Sequence, residues 1–257
     1  MVYPTLNSEK LNVKKRWSLK VDVVIPTRNK NDIRSGLLKM LRGNPDVRNI
    51  IVTTEKPLSI ARKNSCLQAE TKWVAMFDDD MKVPPFWFNV VTEQIGEDVG
   101  AVSTIAETLD STLSAYQNVV NQFFPLERLD TTVYVNNVLI RRSLMATYNP
   151  PKLFLSEDFF LKRHIKKCGY QWKTLPKIGV IHLGSRKPCV GVPIAYRRFK
   201  HYTFYHLMRR FIARLILGPY TVLITKRVET LRKLWKANTI FFAGYLKETF
   251  NGIDEKQ

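Results

Sequence analysis

Cysteine is scarce in this 257-residue chain: there are three, Cys66, Cys168 and Cys189, with neither a C-x-x-C pair nor the Cys/His spacing of a zinc module. The scatter and odd count argue against a disulfide framework and lead us to expect a reducing compartment. Long apolar runs are also missing. The nearest, residues 211–224, is too short to span a bilayer and contains Arg214. Residues 1–20 are polar and mixed, with no basic-then-apolar leader, so the expectation is a protein that is not secreted. Acidic residues are few: 22 Asp and Glu against 41 Lys and Arg leave a formal net charge of +19. A field of that size attracts anions, whether nucleic acid, lipid head groups or phosphorylated substrates. What is abundant is apolar residue, 45% of the chain, enough for one large α/β domain with an appendage.

The first clear element is V-D-V-V-I-P at residues 21–26, a β-branched run stopped by proline and followed by the loop T-R-N-K. Residues 32–42 carry Ile33, Leu37, Leu38 and Leu41 at helical spacing and end at Gly43-Asn44-Pro45. Strands at 49–53 and 73–77 enclose a helix at 58–70. This alternation implies an α/β fold with a doubly wound, mainly parallel sheet flanked by helices. Further on, the pattern predicts a helix at 86–95, a strand at 99–105, partial helical spacing at 109–124 and a strand at 133–141. A helix at 155–168 would be capped by Ser156 and Gly169, and a last strand would cover 178–182. Beyond residue 186 come two long amphipathic helices, 194–217 and 221–250, broken at Gly218-Pro219. The implied organisation is an extension at 1–19, a catalytic domain at 20–185 and a basic helical appendage at 186–257.

Three adjacent acids, Asp78, Asp79 and Asp80, follow the apolar strand W-V-A-M-F. Open parallel sheets place ligand sites at the carboxyl ends of their strands. On extended chain the outer two carboxylates of a D-x-D unit can face one way and hold Mg²⁺ or Mn²⁺ against a diphosphate. A solvated acidic turn is the plain alternative, but three adjacent carboxylates repel one another without a cation or basic partners.

Four segments in order resemble family 2 glycosyltransferases of the GT-A fold: V-D-V-V-I-P-T-R-N, S-I-A-R-K-N-S-C-L-Q-A, W-V-A-M-F-D-D-D and S-E-D-F-F-L-K-R-H-I-K-K-C-G-Y. The resemblance covers residues 20–185 and implies inverting transfer of a sugar from a nucleotide-diphosphate sugar. It implies that Pro26, Thr27, Arg28 and Asn29 line the nucleotide, and that Arg62 approaches nucleotide or diphosphate. Asp78 and Asp80 would be the D-x-D pair, with Asp79 beside the donor but pointing away from the cation. In the Glu-Asp pair, Glu157 would contact donor and Asp158 would be the general base; His182 would be a further metal ligand, making Asp78, Asp80 and His182 the set for Mn²⁺ or Mg²⁺. Two departures stand out. The loop after the second strand is only T-T-E-K-P, leaving Glu55 as its candidate nucleotide contact, and the A-R-N-x-G pattern is replaced by Ala61-Arg62-Lys63-Asn64-Ser65.

Physical alternatives stand beside these roles. A carboxylate within reach of an acceptor hydroxyl can take its proton, yet Glu157 and Asp158 would also favour a helix N-terminus electrostatically. A lone strand-end histidine can be a structural hydrogen-bonding residue. The tail interleaves Arg and Lys with Phe, Tyr, Trp, Leu and Ile, as suits helices lying at an anionic membrane surface. Packing on the catalytic domain, or a homo-oligomer through these helices, is the alternative; nucleic-acid binding lacks a recognisable module. The function expected is glycosyl transfer to a glycan hydroxyl or polyprenyl-linked acceptor, by a protein peripheral on the cytoplasmic face of a membrane. A metal-dependent nucleotidyl or phosphoryl transferase is the rival enzyme, though no P-loop supports it. A non-catalytic basic adaptor is the rival outside enzymes.

Overall fold

Apolar runs that stop at proline, glycine or charge set the strand ends. The computed structural model describes residues 19–108, 119, 134–150, 157–176, 178–184, 204–226 and 228–254. β1 (Val21–Pro26) is buried along its whole length, as a central strand covered on both faces must be. β2 (Val47–Thr53) and β3 (Trp73–Phe77) flank it in parallel, with α1 (Ser35–Gly43) and α2 (Leu58–Gln68) in the connections. After the acidic triplet come β4 (Met81–Lys82) and α3 (Trp87–Thr92), then β5 (Val99–Thr104) and β6 (Glu107–Thr108). β7 (Asn137–Arg141) runs antiparallel to both β3 and β5, and α4 (Arg142–Thr147) follows it directly. α5 (Glu157–Lys167) leads to β8 (Gln171–Leu175), parallel to β5. The six-stranded order is β2-β1-β3-β7-β5-β8. A small second sheet joins β9 (Ile181–His182) to β4 on one side and β6 on the other. The expected α/β architecture, with a mainly parallel sheet between helices, is therefore present.

Strand alternation divides the core in two. Trp73, Ala75 and Phe77 of β3 join Val21, Val23, Ile25, Leu37 and Leu41 on one face, while Val74 and Met76 join Cys66, Ile140, Leu144, Leu161 and Ile165 on the other. Phe77, Trp87 and Phe88 meet edge to face with centroids 4.8–6.2 Å apart, each such pair adding about 0.5–1.5 kcal/mol beyond area burial. Asp22, buried inside β1, accepts from the Glu70 and Thr71 N–H groups at 2.6 and 3.1 Å. It thereby fixes the turn that launches β3.

Several boundaries differ from expectation. Gly179 takes φ +83°, a left-handed conformation that cannot extend a strand, so the predicted strand 178–182 contracts to β9. Gly218-Pro219 does not break the tail. α6 (Phe204–Thr225) runs through both residues, and the chain turns at Lys226, with φ +54°, into α7 (Val228–Asp254). Gly218 lies against α7, where a Cβ would come 3.1 Å from Leu231, so helix packing holds the segment helical despite the missing proline N–H. β8 was not anticipated. The 109–124 helical spacing apart from Val119, which is helical and buried, together with Ser156, Cys189, residues 194–203 and all but the last residue of the 1–19 extension, lies outside the described residues.

Candidate metal centre

β3 delivers the acidic triplet to the carboxyl end of the sheet, and backbone bonds then fix the loop. Asp78 N–H donates to the Asn136 carbonyl at 3.2 Å, Arg34 N–H to the Asp79 carbonyl at 3.0 Å and Leu183 N–H to the Asp80 carbonyl at 2.8 Å. Pairing of β4 with β9 sets Met81 opposite His182. Asp78, Asp80 and His182 consequently offer ligand atoms that all lie within 4.8 Å of one another. Asp79 stands apart from this set: the Thr27 hydroxyl hydrogen-bonds its carboxylate, tying the triplet to the loop after β1.

The local chemistry suits a cation. Asp80 Oδ1 is buried without a hydrogen-bond partner among the described residues, and His182 Nε2 lies 3.4 Å from it. His182 Nδ1 is 3.3 Å from the Gly184 carbonyl. In the tautomer that donates this bond, Nε2 presents a lone pair to the carboxylate, an arrangement a metal ion between them would satisfy and one typical of histidine ligands. Burial, and then the neighbouring charges of Asp78 and Asp79, push the Asp80 carboxyl above its ordinary range, while His182 opposes them. Two carboxylates and an imidazole form a donor set compatible with Mn²⁺, and with Mg²⁺ through the oxygens.

Arg62, 4% exposed on α2, pairs with Asp78 through one nitrogen at 2.5 Å and with buried Glu157 through another. A single guanidinium thus joins α2, the acidic loop and the first turn of α5. Asp158, the next residue, is half-buried, and its Oδ1 accepts from Phe159 N–H at 2.9 Å. Tyr148 belongs to the same neighbourhood: burial, and after it the Asp158 charge, push its hydroxyl upward, with Arg62 opposing. Thr27 is buried at the end of β1 beside buried Pro26, while Arg28 and Asn29 are exposed. Asn29 caps the following single turn. Glu55 is exposed and accepts from Asn64 Nδ2 at 2.7 and 2.8 Å, so the short loop after β2 is held to α2.

Three residues escaped the sequence reading. Gly184 permits the close approach at the cluster, since a Cβ there would fall 2.0 Å from Asp80 Oδ2. Its signal was the H-L-G spacing. Asn137 sits fully buried, its side-chain carbonyl accepting from the Thr104 N–H at 3.0 Å and hydroxyl at 2.5 Å. Its amide donates to the Asn136 side chain at 2.9 Å, and paired asparagines in an apolar strand were the available sign. Tyr148 carried no sequence signal.

No protein-family model matches the chain, and no curated protein does. Solved structures do. Glucosyl-3-phosphoglycerate synthase from Mycobacterium tuberculosis, in complex with Mn²⁺ and UDP-glucose, is similar at 12% identity over 71% of this chain and 77% of that one, with a TM-score of 0.49. Mannosyltransferase PcManGT from Pyrobaculum calidifontis, in complex with GDP-Man and Mn²⁺, is similar at 15% identity over 85% and 73%, also at 0.49. A197 from STIV is similar at 15% identity over 65% and 87%, at 0.42. Likeness at this level transfers neither activity nor residue roles to this chain.

Proposed function

We propose that this chain is an inverting glycosyltransferase of the GT-A, family 2 type, moving a hexosyl unit from a nucleotide-diphosphate sugar to an acceptor at the cytoplasmic face of a membrane. The observation that carries the reading is the Asp78, Asp80 and His182 cluster at the carboxyl end of β3, with a buried Asp80 oxygen that lacks a hydrogen-bond partner among the described residues. Mn²⁺ or Mg²⁺ held there would neutralise charge on the departing diphosphate. The remaining roles belong to side chains. Pro26, Thr27, Arg28 and Asn29 line the nucleotide, with Glu55 at its edge. Arg62 holds Asp78 and Glu157 in register. Asp158 accepts the acceptor hydroxyl proton as the new glycosidic bond forms and the anomeric carbon–oxygen bond to diphosphate breaks. If the acceptor is instead a polyprenyl phosphate, its oxygen is already ionised and Asp158 is dispensable for proton removal.

The test is a panel of nucleotide sugars incubated with the full chain, with and without Mn²⁺. The expected result is metal-dependent release of nucleoside diphosphate from one donor. In a parallel incubation with nucleoside triphosphates and a sugar phosphate, release of pyrophosphate would instead indicate a nucleotidyl transferase, and no turnover or binding of any nucleotide sugar would sink the assignment.

A further inference from the structure

α6 has two faces of different character. On one, Leu217 and Thr221 are buried and Gly218 lies against Leu231 and Leu234 of α7. Phe211 likewise meets Phe242 of α7, with ring centroids 6.0 Å apart. Away from that seam, Ile212, Leu215, Ile216, Tyr220, Leu223 and Ile224 recur at helical spacing and are exposed, Ile216 by 64% and Leu223 by 77%. A continuous apolar stripe of this kind marks a surface for a partner. Among the described residues no helix is long and apolar enough to cross a membrane.

We propose that the open face of α6 docks on an anionic lipid bilayer, lying within its interface. This deepens the membrane-surface part of the function proposed above and does not depend on which donor is used. Charge selects lipid over a second copy of the chain. The protein carries a formal net charge of +19, so two copies brought together repel, whereas acidic head groups attract. The sequence of α6 includes Arg209, Arg210 and Arg214, and Lys226 at the turn is exposed. On α7, Val228, Arg232, Trp235 and Lys236 share an exposed helical face, a combination of tryptophan and cations suited to the head-group layer. α7 otherwise turns Leu234 and Tyr245 inward, which assigns the main apolar contact to α6 rather than to the whole tail.

The experiment is flotation of the full chain with vesicles of phosphatidylcholine alone and of phosphatidylcholine with 30 mol% phosphatidylglycerol. It is repeated for the double variant Ile216→Glu/Leu223→Glu and, as a milder pair, Ile216→Ser/Leu223→Ser. Binding to the anionic vesicles is expected to exceed binding to neutral ones and to weaken with salt. The glutamate pair should lower the partition coefficient by roughly tenfold or more and the serine pair by less, with circular dichroism unchanged in at least one. Undiminished flotation of a folded variant would overturn the proposal. So would equal binding to both vesicle types, or a parent that ignores vesicles and forms a dimer or binds RNA through the same residues. Flotation needs no nucleotide sugar, so its failure would leave donor turnover intact.

Discussion

Arg62 offers the sharpest structural perturbation, because one buried cation serves two carboxylates on different elements. Glu157 and Arg62 have side-chain exposures of 8% and 5%, against 26% for Asp78, so the Glu157 arm is the less screened. Removing one partner of a buried pair costs about 3–5 kcal/mol when the survivor is left uncompensated. In Glu157→Gln the survivor keeps Asp78 and a neutral acceptor of the same shape, so the expected loss falls to about 2 kcal/mol. Arg62→Met strands buried Glu157 and removes the partner of Asp78, and the full 3–5 kcal/mol or so applies. For a chain of this size, each kcal/mol lowers Tm by about 2–4 °C. Thermal unfolding by circular dichroism should therefore rank parent above Glu157→Gln above Arg62→Met, with steps of several degrees. A Glu157→Gln protein as stable as the parent, or an Arg62→Met protein more stable than Glu157→Gln, would refute the view that this triad holds α5 to the acidic loop.

Gly184→Ala should weaken Mn²⁺ binding at least tenfold, read by titration of the metal, because the added Cβ occupies the space of Asp80 Oδ2; unchanged affinity would show that the approach of residue 184 to Asp80 is not needed. Burial pushes the Cys66 thiol up to about 12, whereas Cys168 is exposed, and the thiolate is the reactive form. At pH 8, mass spectrometry of the alkylated native protein should find Cys168 modified and Cys66 modified only after denaturation. Asp158→Asn should lower turnover with a hydroxyl acceptor by roughly 10²–10⁴-fold while donor binding persists. Near-normal turnover would remove Asp158 from the role of base.

The elements legible in the sequence are those whose burial is written in consecutive residues. V-D-V-V-I-P and W-V-A-M-F are strands covered on both faces, and each ends where proline or acid stops the apolar run. β8 was hidden because in Q-W-K-T-L Trp172 is buried, Gln171 is exposed and the remaining three are half-buried; pairing with β5, far away in sequence, makes it a strand. The tail break was misplaced for a related reason: proline propensity favoured residue 219, but packing between α6 and α7 overrode it and the turn moved to Lys226. At the site, the D-x-D spacing after an apolar strand makes Asp78 and Asp80 legible, whereas His182 joins them only through the family resemblance, and the structure brings its ring to the two carboxylates. The bridge from Arg62 to Glu157 was not legible. It depends on the fold bringing Glu157, about a hundred residues on, against Arg62, which no local pattern encodes.

In the proposed function, the acidic loop and His182 form a cation site for a nucleoside diphosphate. Electron paramagnetic resonance of Mn²⁺ titrated into the full chain, with UDP and with GDP in parallel, measures this directly. One bound ion is expected, tightened by one of the two nucleotides and lost in Asp80→Ala. Retention of that ion by a folded Asp80→Ala protein, or no Mn²⁺ binding by the parent with either nucleotide, would contradict it.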